Sequence, residues 1–156
     1  MANSTSARVA ALDLGEVRTG VAISDPGGAL ARPLAVVASA ELGEYLKRLV
    51  QDQGIEEIVV GIPKTLGGEV GFQARRVLHR LQTLKGELPT TRFVEWDERL
   101  TTRLARSSRD DQQRGSRAGG RSTRRKGGMK ERVDHLAAAG MLQEYLDRRG
   151  ALGTAR

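Results

Sequence analysis

The stretch RVAALDLGEVRTGVAIS, from Arg8 to Ser24, decides the fold. Arg8–Asp13 is a short apolar run closing on a carboxylate, and Thr19–Ser24 is a second such run. Leu14–Arg18 joins them, with Gly15 marking a tight turn, so the two runs read as antiparallel strands. Outward from there, Asp25-Pro26-Gly27-Gly28 is a turn signal, because proline presets φ and glycine admits positive φ. Ala29–Val37 follows as a third strand. Pro33 places it at a sheet edge, since proline cannot donate to an interior ladder. Three strands with short connections make an antiparallel meander.

The period then changes. Leu42, Tyr45, Leu46, Leu49 and Val50 recur at helical spacing, with Ser39 as a candidate cap before them and Gly54 after them. Glu57–Ile62 is a fourth strand, apolar enough to be buried on both faces. Ala74, Val77, Leu78, Leu81 and Leu84 define a second amphipathic helix. Thr91–Trp96 forms a fifth strand that runs into Asp97 and Glu98. Beyond Thr101 a short helix fades near Ser107. From Arg109 to Gly128 the chain lacks apolar periodicity and reads as a disordered basic loop. A last helix spans about Glu131 to Arg149, with Val133, Leu136, Ala137, Met141, Leu142 and Tyr145 facing inward. The order implies an α/β fold in one domain spanning residues 1–156. Its five-stranded mixed sheet has β1–β3 antiparallel, β1, β4 and β5 parallel, and helices on both faces.

Composition narrows the chemistry. The absence of cysteine rules out disulfides and thiolate metal sites, and two histidines leave no histidine-based zinc centre. A resident metal must therefore sit on carboxylates, whose hard oxygens favour Mg2+ or Mn2+. Aromatic residues make up 3% of the chain, which argues against a surface of stacked rings. A formal net charge of +7 points to a polyanionic partner, and nucleic acid fits that description. No apolar run approaches the roughly 18 residues of a membrane span. Residues 1–7 are polar and read as a flexible tail without the apolar core of a signal peptide, so a cytoplasmic location is expected.

Acidic residues stand at element ends: Asp13 after the first strand, Asp97-Glu98 after the fifth, and Asp134 in the first turn of the last helix. Each alone has an ordinary structural role, as a turn cap or a helix-dipole partner. Topology changes that reading. With strands one, four and five side by side and the last helix packed across them, these acids can converge. Converging carboxylates repel and raise one another's pKa unless a divalent cation relieves them. Two cations about 4 Å apart activate water and stabilise an in-line displacement at phosphorus.

Several segments together resemble the YqgF/RuvX family of pre-16S rRNA nucleases, also described as Holliday junction resolvase-like, within the RNase H-like superfamily. They are DLGEVRTGVAISD around Asp13, Gly15, Arg18 and Gly20; Arg32-Pro33-Leu34; Val60-Gly61-Ile62-Pro63 followed by Gly67-Gly68; DERLTT from Asp97 to Thr102; and Val133-Asp134 leading into Ala137–Leu142. They cover about residues 8 to 146 in family order. The resemblance implies an RNase H-like fold, nuclease activity, and metal binding by Asp13, Asp134 and one of Asp97 or Glu98. Strand alternation does not choose between the last two, because the strand can end first.

The chain also departs from related resolvases. Its fourth strand is apolar where they carry a second acid, and Ala137 stands where they carry a further one. Lys64 and Thr65 replace the family's asparagine after Pro63. Lys64, Arg18 and Arg99 are candidate phosphate contacts. So are Arg121, Arg124, Arg125, Lys126 and Lys130, in a stretch from Arg114 to Arg132 whose only acid is Glu131. The preferred substrate on the family resemblance is a 16S rRNA precursor, with branched DNA next. A non-catalytic factor in ribosome assembly or transcription is the rival of another class. An actin-like ATPase, suggested by the Asp-x-Gly turn, would need a second domain. The sequence leaves a monomer and a weak homodimer equally open.

Overall fold

A computed structural model describes residues 7–63, 70–98 and 126–153, the backbone alone at 126–134 and 153. Its elements are β1 (Arg8–Leu14), β2 (Arg18–Ser24), β3 (Ala31–Ala38), a 3-10 turn (Ser39–Glu41), α1 (Leu42–Gln53), β4 (Ile55–Ile62), α2 (Phe72–Glu87), β5 (Arg92–Asp97) and α3 (Lys126–Gly153). The sheet order is β3-β2-β1-β4-β5. β1 pairs antiparallel with β2, and β2 with β3. β1 pairs parallel with β4, and β4 with β5. This is the mixed sheet expected, with Pro33 on the edge strand β3.

Strand alternation splits the interior in two. Ala10 and Leu12 of β1, with Ile58 and Val60 of β4, face α1 and α2, meeting Leu42, Leu46, Ala74, Leu81 and Leu84. Val9, Ala11 and Val59 face the other way, against Ala138, Met141, Leu142 and Leu146 of α3. The central parts of β1 (Val9–Leu12) and β4 (Ile58–Ile62) are thus buried on both faces, which is why they are apolar runs with no polar alternation. The β2–β3 turn forms as its sequence implies. The Asp25 carboxylate accepts from the amides of Ala29 (2.8 Å) and Leu30 (2.9 Å), and Gly28 takes φ 68°. Gly54 closes α1 in the left-handed conformation, with φ 63°.

Ser39 does not cap α1; Glu41 occupies that position without a side-chain cap. The Ser39 hydroxyl instead donates to the Gly15 carbonyl at 2.9 Å, tying the 3-10 turn to the β1–β2 turn. α3 begins at Lys126, so residues 126–128 are helical rather than part of a disordered loop. Its inward stripe is Ala138, Met141, Leu142, Tyr145 and Leu146, whereas Leu136 and Ala137 are exposed. Alanine is a poor marker of phase, and the two extra positions fall outside the 3.6-residue stripe.

α3 also lies mainly over β2, β3 and β1 and reaches β4 only in part, rather than spanning β1, β4 and β5 evenly. The side it covers carries small residues, Ala11, Ala22 and Ala31, and these let a helix bearing Ala138 and Ala139 approach closely. Two polar ties hold it. Gln143 accepts from the Ala31 amide (2.9 Å) and donates to the Ala29 carbonyl (3.0 Å). The Tyr145 hydroxyl donates to Glu57 of β4, a buried carboxylate that also meets Arg92 (3.5 Å) and Arg149 (3.7 Å). Burial, then the bond to Glu57, pushes the Tyr145 phenol up to about 12.

The N-terminal tail through residue 6, the short helix after Thr101 and loop residues 109–125 lie outside the described residues. Leu142 is fully buried and Leu136 is 59% exposed. Leu142→Ala is therefore expected to lower unfolding free energy by about 3 kcal/mol, and Leu136→Ala by less than about 0.5 kcal/mol. Urea titration of both variants checks the phase of the helix.

Candidate active site

The parallel strands β1, β4 and β5 point their carboxyl ends to one edge of the sheet. Asp13 is the penultimate residue of β1, opposite Gly20 of β2. Asp97 ends β5 beside Ile62, the last residue of β4, and Glu98 follows at once. Asp13 alternates with Leu12, so it shares the α3 face with Val9 and Ala11. Glu98 is brought to that same face. A Cβ placed on Gly61 would lie 2.7 Å from Glu98 Oε1 and 2.9 Å from Met141 Sδ. Gly61 therefore leaves the space that the Glu98 carboxyl occupies beneath α3, the use to which glycine in a buried strand is put.

Asp13 and Glu98 meet. They share a side-chain hydrogen bond in which the protonated Glu98 carboxyl donates to Asp13. Burial, then the Asp13 charge and this bond, then Asp97, push the Glu98 carboxyl up to about 7. Asp97 is thus near enough to act by its charge, while the hydrogen-bonded partner is Glu98. Residues 85 positions apart in sequence are brought together by parallel strand pairing.

Position 134 belongs to α3, seven residues before Met141. Tyr145 contacts Glu57 and Met141 neighbours Gly61, so α3 runs opposite to β4. Its N-terminal part thus extends towards the edge that holds Asp13 and Glu98, about 10 Å along the axis from Met141 to position 134. The Asp134 side chain lies outside the described residues, as do those of Lys126 and Lys130 and the whole of Lys64, Arg99, Arg121, Arg124 and Arg125. Arg18 opens β2 at the same edge and is exposed. His79 is exposed, His135 half-buried and Trp96 buried.

As a cation site the pair fits in kind. It offers hard oxygen donors only, and a divalent cation competes with the proton that the raised Glu98 carboxyl retains up to about pH 7. Among the described residues no group of three or more acidic, histidine or cysteine side chains gathers to complete a cage. Two features here escaped the sequence reading: the space made by Gly61, and an ion pair between Glu16 in the turn after Asp13 and Arg76 of α2. A glycine inside an apolar strand was the available signal for the first; a contact across 60 residues left none for the second.

The raised Glu98 carboxyl has a thermodynamic consequence. Unfolded, it ionises near 4.5, whereas folded it holds its proton to about 7. Between these values the native state binds more protons, so stability falls as pH rises and levels off above pH 7. In chelator, wild-type protein is expected to lose about 2 kcal/mol across this window, after allowance for solvent screening. Glu98→Gln should flatten the slope; an equal slope in the variant, measured by urea unfolding at each pH, would place the titration elsewhere.

Comparison with known proteins bears on the family and the fold. The profile of the RuvX family, described as a Holliday junction resolvase, matches residues 7–148. A Rubrobacter xylanophilus protein named as a pre-16S rRNA nuclease is 57% identical over 140 residues, covering 90% of this chain and 92% of that one. A similarly named protein of Sulfurihydrogenibium is 37% identical over 143 residues, with 90% of each chain covered. Among solved structures, T. thermophilus RuvC in complex with a Holliday junction substrate superposes with a TM-score of 0.55 at 16% identity, covering 96% of this chain and 98% of that one. The yeast mitochondrial Holliday junction resolvase Ydc2 gives 0.53 at 12% identity, over 97% and 82%. These two likenesses establish the RNase H-like fold of the resolvases. On the family profile and the close relatives, the chain belongs to the RuvX family.

Proposed function

We propose that this protein is a metal-dependent nuclease that hydrolyses phosphodiesters in structured nucleic acid, with a 16S rRNA precursor as its substrate. The observation that carries the reading is the hydrogen-bonded Asp13–Glu98 pair at the carboxyl edge of the sheet. A protein that only bound nucleic acid would gain nothing from facing phosphates with such a pair. The names of the close relatives support ribosomal RNA as the substrate. The family description supports a four-way DNA junction as the second reading.

Asp13, Glu98 and Asp134 are the residues that would hold Mg2+ or Mn2+, with Asp97 near enough to tune their charge. The bound cation supplies Lewis-acid stabilisation of the charge that develops on phosphate oxygens. Asp13, fixed on a strand buried on both faces, orients the attacking water by accepting its hydrogen bond. Glu98, seated in the space left by Gly61, would serve as a ligand in its ionised form. Arg18, Lys64 and Arg99 are the cations that would contact phosphates near the cut. Arg121, Arg124, Arg125, Lys126 and Lys130 would supply further phosphate contacts. No helix among the described residues is long and apolar enough to cross a membrane, in keeping with a protein that works on RNA in the cytoplasm, as a monomer or weak dimer.

Precursor 16S rRNA and a four-way junction should be compared with Mg2+, with Mn2+ and with EDTA. Cleavage of the precursor alone supports the first reading; cleavage of the junction alone supports the second. Asp13→Asn is expected to lower cleavage at least about 100-fold while binding persists; full activity in that variant would remove Asp13 from the chemistry. Replacing Arg121, Arg124 and Arg125 together by glutamine is expected to reduce the slope of log K against log salt by up to about 3. An unchanged slope would place the phosphate contacts elsewhere.

A further inference from the structure

The chain has five aromatic residues, and four of them are built into the fold. Trp96 is buried, and Tyr145, Tyr45 and Phe93 pack against the two interior clusters. Phe72 is the exception, at 73% exposure. It is the first residue of α2, and its ring carries the Arg76 guanidinium 5.6 Å from its centroid. Arg76 also pairs with Glu16, which lies three residues after Asp13 in the turn that leaves β1. The ring is thus tied through Arg76 to the turn beside the acid pair. Three residues span at most about 10 Å, so with the Glu16 and Arg76 side chains in between the ring stands within roughly 25 Å of Asp13.

Exposed apolar residues flank both partners of this tie. Val17 in that turn is 73% exposed, and Val70, two residues before Phe72, is 47% exposed. Burying an aromatic ring in its own core is worth a few kcal/mol, so a core able to take Phe72 would be expected to hold it. The ring instead has one face against Arg76 and the rest open to solvent.

We infer that Phe72, braced by Arg76 and Glu16, is a stacking platform for one unpaired base of the substrate, a few nucleotides from the scissile phosphate. This rests on the nuclease reading and adds to it a requirement for a splayed-out base next to the cut. An aromatic ring accepts any base, since every base has a π-face, and an adjacent arginine strengthens the stack. One platform is compatible with a chain this poor in aromatics, and it acts as a positioning residue by fixing the register of the strand over Asp13 and Glu98.

The test uses a duplex RNA with a single-stranded extension, carrying 2-aminopurine at successive positions, bound to the full-length protein in EDTA so that no cleavage occurs. Wild-type protein should quench the probe at one or two neighbouring positions. Phe72→Ala should abolish that quenching and weaken binding roughly ten-fold, and Phe72→Trp should restore both. The thermal melt of Phe72→Ala should match wild type, because the ring is exposed. Equal quenching and affinity in wild type and Phe72→Ala would overturn the platform, and wild-type cleavage with metal would leave the nuclease reading standing. Conversely, intact cleavage in Asp13→Asn would sink the acid-based mechanism without touching the stacking result. No quenching by wild-type protein at any position would also overturn the inference.

Discussion

Parallel pairing of two strands that are buried on both faces is the constraint from which the remaining structure follows. Val9 to Leu12 of β1 and Ile58 to Val60 of β4 are almost wholly excluded from solvent. Such a pair has no room for an unpaired charge along its length. The first positions able to carry an uncompensated carboxylate are those where the strands emerge, and the parallel run of β1, β4 and β5 brings those ends to one edge. Asp13 and Glu98 are therefore neighbours for a topological reason, in the edge region where open parallel sheets place their ligands.

The molecule treats its two sequestered glutamates in opposite ways. Glu57, inside β4, is surrounded by Arg92, Arg149 and the Tyr145 hydroxyl, which together compensate its desolvation. Glu98 faces Asp13 and Asp97, and its carboxyl is held well above the usual range. The first arrangement locks a helix to a sheet. The second gathers like charges at one point at a cost in stability, as the proposed cation site requires.

Much of this was legible in the sequence. The apolar runs of β1, β2 and β4, the Asp25–Gly28 turn and the Gly54 stop each have a local cause, and each formed as read. What escaped the reading depends on contacts between distant segments. Ser39 looks like a helix cap, yet its hydroxyl is taken by Gly15. The run Ala137-Ala138-Ala139-Gly140 carries no bulky residue to set a phase, so only docking against Ala11 and Ala22 decides which alanine turns inward. The choice between Asp97 and Glu98 as the partner of Asp13 depended on where β5 stops, and the sequence does not mark that point. Gly61 was read as part of an apolar strand, although its missing side chain makes room for the carboxyl.

Trp96 is the single tryptophan of the chain. It is buried under α3, with its ring edge-on to Tyr145 at 5.9 Å and Arg148 above it at 5.2 Å, and it immediately precedes the Asp97-Glu98 pair. Its indole therefore senses both the seating of α3 on the sheet and the strand end that carries the acids. The molecule contains an intrinsic optical gauge at the junction of scaffold and chemistry, and its emission follows events there without any attached dye.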